Sequence, residues 1–599
     1  MKMTDSPAIG FRLLLIVAIL AVMLLIVMVW NTSQGRTRGG SAIPSAVTIA
    51  PLLASDIPKP LATVTPTQPV VDHTATALVK QTAMSVAATA TVQSDVTATA
   101  LQATATAFAP LAPTQQVGQA EARSSYNPAI DRLLLDNGYY ANIIPVGSAQ
   151  GLRASQRNYS NSVWTRDLDY AISGYSYALG DMSLFAANID LFMGYVAADG
   201  VAPETIYIRE GRLDWENRQS WDSMPNLIHA AYAYIAKTGD REFYLRHRAN
   251  LLRIGEWIAR LSTNGDGFPD RDIFPFGYYD SVQNGPLHTY AMARFYGAYN
   301  ELAELEGMLG LSAAIWRERA AALRAGFNLP VTEGGYWLAE QPWPIAWKRG
   351  DGSVVPILET FGVFAALQSG LIAPADERYP ALVEALHTNL PALLDGPAPF
   401  KLTLGGYEPE MRRVVDPPVP VWMLDASAPW IVGLAAPTYS AIGHPEDAQA
   451  IMEAYMRMVE ATNPPVLEFS AGPNARYGPG DTNDRGRTWD SAAWFMAIYG
   501  GHYGLTMTPS ALIVAPRPYQ TIPNDQIIGF SYQGARLTLQ LDPTTATYYL
   551  QSDRPVAVLL RPMGGATHMQ LDGGPAQPEQ RLLLEPERVY SVSSSSRGL

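Results

Sequence analysis

Asn158–Asp181 reads NYSNSVWTRDLDYAISGYSYALGD, and this stretch decides the fold. Its first half sets Trp164, Arg166, Asp167 and Asp169 within six positions. Its second half has helical periodicity, with Tyr170, Ile172, Tyr175 and Ala178 able to share a face. A ring, a guanidinium and a carboxylate at the mouth of a helix can grip a sugar. The ring stacks on the apolar face of a pyranose, Arg donates to hydroxyl oxygens and Asp accepts from hydroxyl hydrogens. The same residues also read as a helix start held by an ion pair.

Composition narrows the classes. The chain has 599 residues, 48% hydrophobic and 16% charged, which suits a large core and more than one domain. Its formal net charge is −13 and no basic run appears, which argues against nucleic acid as a partner. There is no Cys, so disulfides, thiolate metal sites, iron–sulfur clusters and a thiol nucleophile are excluded. Thirteen Trp and 30 Tyr supply rings of the kind that stack on sugars and also fill large cores.

Residues 13–30, LLLIVAILAVMLLIVMVW, form an uninterrupted apolar run. As a helix it measures roughly 27 Å, enough to cross a bilayer core. Asn31-Thr32-Ser33 follows with no A-x-A site, so 1–35 reads as an uncleaved transmembrane signal anchor. Lys2 and Arg12 precede the run and Arg36 and Arg38 follow it, so charge alone does not orient it. The expected orientation puts the N-terminus inside and the catalytic part outside the cytoplasm. From 36 to 122 the chain is rich in Thr, Ala and Pro, with TATAL, AATATV and TATALQATATAF, and reads as a spacer.

Beyond Tyr126, helical stretches alternate with loops rich in Gly, Pro and aromatic residues. Twelve helices are predicted, in pairs, from Pro128–Leu135 to Ser491–Tyr503. A toroid of six helical hairpins over 123–505 fits, with the loops on one rim building the site. No fixed solenoid period appears. After Tyr503 short strands and turns take over, and 506–599 reads as a small β-sandwich. The expected fold class is therefore mainly α: an (α/α)6 toroid, a C-terminal β-sandwich and an N-terminal transmembrane helix.

Trp164-Thr165-Arg166-Asp167 resembles the WTRD segment of glucoamylases, and close variants occur across the six-hairpin glycosidases. The chain thus resembles the (α/α)6-barrel glycosidases of the glucoamylase, processing-glucosidase and debranching types. The resemblance implies that Arg166 and Asp167, with Trp164, bind the sugar at the non-reducing end. It implies an exo-acting, inverting glycoside hydrolase with a carbohydrate substrate and no cofactor or metal. The entry Asp222-x-Met224-Pro225 resembles the substrate-binding loop of the same families, which makes Trp215, Glu216 and Asp222 candidate contacts.

Glycoside hydrolysis needs one protonated and one ionised carboxyl group on either side of the scissile bond. The loop at 264–284 lacks the D-x-D-x-D calcium ladder and ends in Gly277-Tyr278-Tyr279-Asp280-Ser281. The resemblance places the general acid here, at Asp280, with Tyr279 beside it. Its aromatic neighbours would desolvate the carboxyl and favour the proton-carrying form. The loop at 462–490 holds Glu468, which the resemblance makes the base, although Phe469-Ser470 departs from the trehalase-like E-x-Y-N pattern. Trp489 would wall the pocket, and Asp490 and Asp484 are rival carboxylates. A phosphorylase on the same fold would use Arg476, Arg485 or Arg487 for phosphate. A helical-barrel lyase or epimerase would recruit His288 and Tyr290. A non-catalytic glycan-binding protein would keep the aromatics and lack one carboxylate.

Overall fold

The computed structural model describes residues 121–595, apart from 147–148, 157–158, 210–211, 217–219, 266, 270–280, 283–286, 396–398, 413–420, 463–467, 469–485, 516–521, 523, 543–546 and 562–567. These residues fall within the compact unit Thr82–Leu599.

Twelve α-helices occur among the described residues: α1 (Pro128–Leu134), α2 (Thr165–Ala178), α3 (Ser183–Met193), α4 (Ser223–Thr238), α5 (Arg241–Ala259) and α6 (Thr289–Met308). They continue with α7 (Ala314–Phe327), α8 (Thr360–Ser369), α9 (Tyr379–Leu393), α10 (Val432–Ala441), α11 (Pro445–Ala461) and α12 (Thr488–Phe495). The even-numbered helices pack each against the next, and α12 returns to α2, so they close a ring. The odd-numbered helices lie outside it. Burial separates the two rings: α2 buries twelve of its fourteen residues, whereas α7 buries only Trp316, Ala320, Leu323 and Phe327, a single stripe. The expected one-faced α2 is therefore a helix buried on all sides. Close approach is built in at Gly174, where a Cβ would run into the Ala492 carbonyl of α12.

A repeated device fixes the starts of the inner helices. Thr165, Thr289, Thr360 and Thr488 each open one. Each donates its hydroxyl to one carbonyl and its backbone N–H to the next: Pro203 and Glu204, Ile345 and Ala346, Lys401 and Leu402, Arg153 and Ala154. These bonds satisfy donors that a helix start leaves unpaired and bind each inner helix to a loop of the adjoining hairpin. The repeat is structural and has no fixed sequence period.

A layer of rings crosses the barrel just below these starts. It takes Tyr170, Trp221, Tyr290, Phe361, Trp430 and Trp489, one from each hairpin, and all six are buried. The Tyr170 and Tyr290 hydroxyls lie 3.0 Å apart, and Trp430 stacks on Trp489 at 4.8 Å. Phe361 sits 4.2 Å from both Tyr290 and Trp430.

The strands are β1 (Arg123–Ser124), β2 (Ile143–Val146), β3 (Ala149–Leu152), β4 (Ser162–Trp164), β5 (Thr205–Arg209), β6 (Arg212–Glu216), β7 (Trp347–Lys348) and β8 (Val354–Val355). Then come β9 (Leu505–Met507), β10 (Leu512–Val514), β11 (Gln526–Tyr532), β12 (Ala535–Asp542), β13 (Thr547–Ser552), β14 (Val556–Leu560), β15 (His568–Leu571), β16 (Gly574–Ala576), β17 (Gln580–Leu584) and β18 (Tyr590–Ser595). One C-terminal sheet has the order β1-β11-β12-β13-β18-β15-β16 and the other β17-β14-β10-β9. Arg123 pairs with Ile528, so the first described residues complete the C-terminal sheet rather than the barrel. The junction with the barrel is packed. Lys237 of α4 is buried and lies 4.8 Å over the Phe530 ring, and burial lowers its pKa to about 7.

The fold class needs correction in two respects. Among the described residues five sheets stand beside the helices, so the fold is not mainly α, and β4, β5 and β6 form a three-stranded sheet where the sequence reads as loop. Their short runs alternate too briefly to be told from loop by periodicity. No helix among the described residues is long and apolar enough to cross a membrane, so the expected membrane helix has no support. Residues 13–30 and the spacer before 121 lie outside the described residues.

Candidate active site

The inner helices run parallel, so their N-terminal ends share one rim of the ring. Asp222 stands at the N-cap position of α4 without a side-chain capping bond, while Arg166, Asp167 and Asp490 sit in the first turns of α2 and α12. Helix N-termini favour carboxylates, and six of them meet here. Two buried ion-pair systems result.

The first is centred on Arg166. Its Nε and Nη2 fork onto Asp222 at 2.7 and 3.0 Å, and Nη2 also reaches Ser220 at 3.1 Å and Glu204 at 3.4 Å. Asp222 is fully buried. Arg166 and Asp222, expected to hold sugar hydroxyls, thus face each other and tie α2 to α4. The planar guanidinium fork explains the choice of Arg over Lys. Arg166→Ala would leave Asp222 charged and buried, at a cost of about 3 kcal/mol. Chemical denaturation is expected to show that loss, while calorimetry on the folded fraction shows unchanged sugar affinity. Unchanged stability with weakened affinity would return Arg166 to the substrate.

The second is centred on Arg487. Its Nη2 lies 3.3 Å from Asp167 and 3.1 Å from Glu468, and its Nε lies 3.5 Å from Asp490. The guanidinium covers the Tyr159 ring at 5.0 Å and the Trp489 ring at 5.3 Å. Tyr159 meets Trp164 edge-on at 5.4 Å, so Trp164 borders the same cluster. Burial works against the Arg487 charge, but Glu468, Asp167 and Asp490 outweigh it and raise its pKa. Asp490 is fully buried, and neither carboxyl oxygen makes a hydrogen bond among the described residues. Burial pushes its pKa well up, against the pull of Arg487, toward the proton-carrying form.

Trp164, Asp167, Glu468, Trp489 and Asp490 therefore come together, although Trp489 belongs to the buried ring layer beneath the carboxylates. Asp280 and Tyr279 lie outside the described residues. Trp215 and Glu216 fall on β6, opposite Ile206 and Thr205, with their side chains outside the described residues. Sequence reasoning missed Arg487 as the hub. Its signal was present: Arg487-Thr488-Trp489-Asp490 exchanges the Trp and Arg of Trp164-Thr165-Arg166-Asp167 and opens the helix on the other side of α2. It also missed a buried set at the same rim, where His288 Nε2 lies 3.0 Å from Glu359 and the Tyr407 hydroxyl donates to Glu359 at 2.7 Å.

Among the described residues, one cluster has the chemistry of a metal site: His387, His444, Glu446 and Asp447 on the outer ring. There His387 stacks on His444 at 4.3 Å and bonds Asp447 at 2.5 Å, so the set is satisfied within itself.

No protein-family model matches the chain, and no curated protein matches it in sequence. Solved structures do match. A rhamnosidase of family GH78 from Bacillus sp. GL1 aligns with a TM-score of 0.53 at 13% identity, over 75% of this chain and 43% of its own. The α-L-rhamnosidase from Dictyoglumus thermophilum aligns with a TM-score of 0.53 at 12% identity, over 79% of this chain and 50% of its own. A protein described as a sialidase gives 0.53 at 14% identity, over 78% and 41%. The chain spans half the length of these proteins or less. With the closed ring of six hairpins, the likeness establishes the architecture alone: an (α/α)6 barrel of six helical hairpins, the fold shared with these solved structures.

Proposed function

We propose that the chain is a glycoside hydrolase, exo-acting and inverting. The observation that carries this reading is the convergence of Asp167, Glu468 and Asp490 on Arg487 at the helix-start rim, above a floor of aromatic rings. The reading needs one carboxyl that holds its proton and one that stays ionised. Glu468 is paired as a carboxylate with Arg487 and is only partly buried, which suits a base that activates water. Asp167 and Arg487 would hold sugar hydroxyls, with Trp164 offering a ring. Exo action rests on the likeness of Trp164-Thr165-Arg166-Asp167 to a segment that grips the non-reducing end.

The acid is Asp280 on the sequence argument. Asp490 is the second candidate, favoured by its raised hold on a proton. Asp280→Asn and Asp490→Asn separate them: loss of the acid is expected to slow substrates with poor leaving groups far more than aryl glycosides with good ones. Hydrolysis is preferred to phosphorolysis, because among the described residues Arg487 already faces three acidic side chains, and a phosphate dianion there would have to compete with them.

The test is a panel of aryl α-L-rhamnosides, α-D-glucosides and α-D-mannosides, with NMR of the first-formed product. Rhamnosides are included because two of the matched structures are rhamnosidases. The expected result is turnover of one class without added phosphate, giving a product of inverted anomeric configuration. Retention would overturn the mechanism. Sugar binding without turnover of any substrate would favour a glycan-binding protein.

A further inference from the structure

A cavity among the described residues lies away from the rim that holds Arg487. It occupies the opposite half of the barrel lumen, below the layer of rings, with a volume of about 660 Å³. Tyr170 of that layer lines it, as do Ser176, Ala236, Gln368 and Thr438, which lie late in their inner helices. Arg561, exposed on the β-domain, also lines it. We propose that this lower lumen is a second ligand site, for a small neutral polyhydroxylated molecule of monosaccharide size.

Orphaned acceptors carry the argument. Asp169 bonds Arg294 through one carboxyl oxygen, while its Oδ1, 3.7 Å from His229 Nε2, makes no hydrogen bond among the described residues although the residue is almost wholly buried. Glu301 bonds His229 through Oε1, while its buried Oε2 has no hydrogen-bond partner among the described residues. The buried Thr438 hydroxyl has none either. Buried polar groups are normally satisfied, and three unsatisfied ones around one cavity call for a donor-bearing occupant. Two of them are carboxylate oxygens, which accept well from hydroxyls.

Charge selects a neutral ligand. Asp169 faces Arg294, and Glu301 faces His229, whose Nε2 also lies 3.7 Å from Asp169. Burial opposes the His229 charge, yet Glu301 and Asp169 outweigh it and raise its pKa. Asp169 and Glu301 thus each face a basic partner, and Arg561 on the β-domain side pairs with Glu579 at 2.7 Å, so the charges of the lining are matched. Tyr177, Tyr232 and Tyr379 add rings and hydroxyls to the lining. The ring layer separates this site from Glu468 and Arg487, so the proposal does not depend on hydrolysis at the other rim.

The test uses the full chain and calorimetric titration with D-glucose and with L-rhamnose. Gly297→Leu fills the cavity without removing a charge, since a Cβ at Gly297 meets no atom closer than Ser369 Cβ at 4.0 Å. It is expected to lower the number of sugars bound per chain by one and to leave turnover of aryl glycosides unchanged. Glu301→Gln is expected to weaken the same binding event about tenfold or more. If Gly297→Leu folds, as judged by its melting transition, and titrates like the wild type, the proposal is wrong. Should Gly297→Leu not fold, an unchanged titration in Glu301→Gln would sink the idea equally. Uptake of Tris cation in place of either sugar would overturn the neutral class.

Discussion

Glu468→Gln is expected to leave a folded protein whose turnover falls about a hundredfold to ten-thousandfold, the range of a lost general base. The loss should be as large on activated glycosyl fluorides as on aryl glycosides. A fluoride leaves without proton donation, so only the attack by water remains to be helped, and that is the step assigned to Glu468. Folding should survive for a local reason. Glu468 is one of three carboxylates around Arg487, and Asp167 at 3.3 Å keeps a counter-charge on the guanidinium. Glutamine can still accept a hydrogen bond from Arg487 through its amide oxygen. Fluoride turnover at the wild-type rate would remove Glu468 from the reaction and leave it as a structural partner of Arg487.

The sequence disclosed the ring more readily than the chemistry. Twelve paired helical stretches were legible because each outer helix carries a stripe such as Trp316, Ala320, Leu323 and Phe327, and each inner helix carries a dense apolar run. The starts of the inner helices were less legible. α2 begins at Thr165, ahead of the periodic run that starts at Tyr170, because its first turn is polar and owes its place to bonds with Pro203 and Glu204. Those partners lie almost 40 residues away, beyond the reach of any local pattern. The same limit governs the site. Trp164, Asp167, Glu468 and Asp490 could be chosen as residues of the right kind, yet nothing local told that Arg166 turns to Asp222 while Arg487 turns to Asp167. Both arginines stand near a tryptophan, a threonine and an aspartate in sequence, and only ring closure decides which carboxylate each one meets.

Arg487→Met should produce the largest loss of stability, about 3–5 kcal/mol, because it removes the cation that, among the described residues, the buried Asp167 and Asp490 and the partly buried Glu468 share. Methionine fills much of the same volume over Tyr159 and Trp489, so the loss would come from charge rather than from a cavity. Asp490 bears most of the effect. It is fully buried and makes no hydrogen bond among the described residues, and Arg487 is what opposes the burial that already favours its protonated form. A double-mutant cycle isolates that share. Asp490→Asn in the Arg487→Met background should recover part of the lost stability, with a coupling energy of at least about 1 kcal/mol for residues in direct contact. Urea denaturation of the four proteins gives the number. The sign with pH also follows. Asp490 binds its proton more tightly folded than unfolded, so its protonated form adds stability at low pH, and that contribution is lost as pH rises through its folded pKa. Without Arg487 to lower it, that folded pKa rises further, so the penalty that Arg487→Met imposes should shrink as the solution is acidified. A penalty that is small at neutral pH, or that does not change with pH, would mean that the carboxylates do not depend on Arg487 for their charge, and the cluster would lose its standing as the centre of the site.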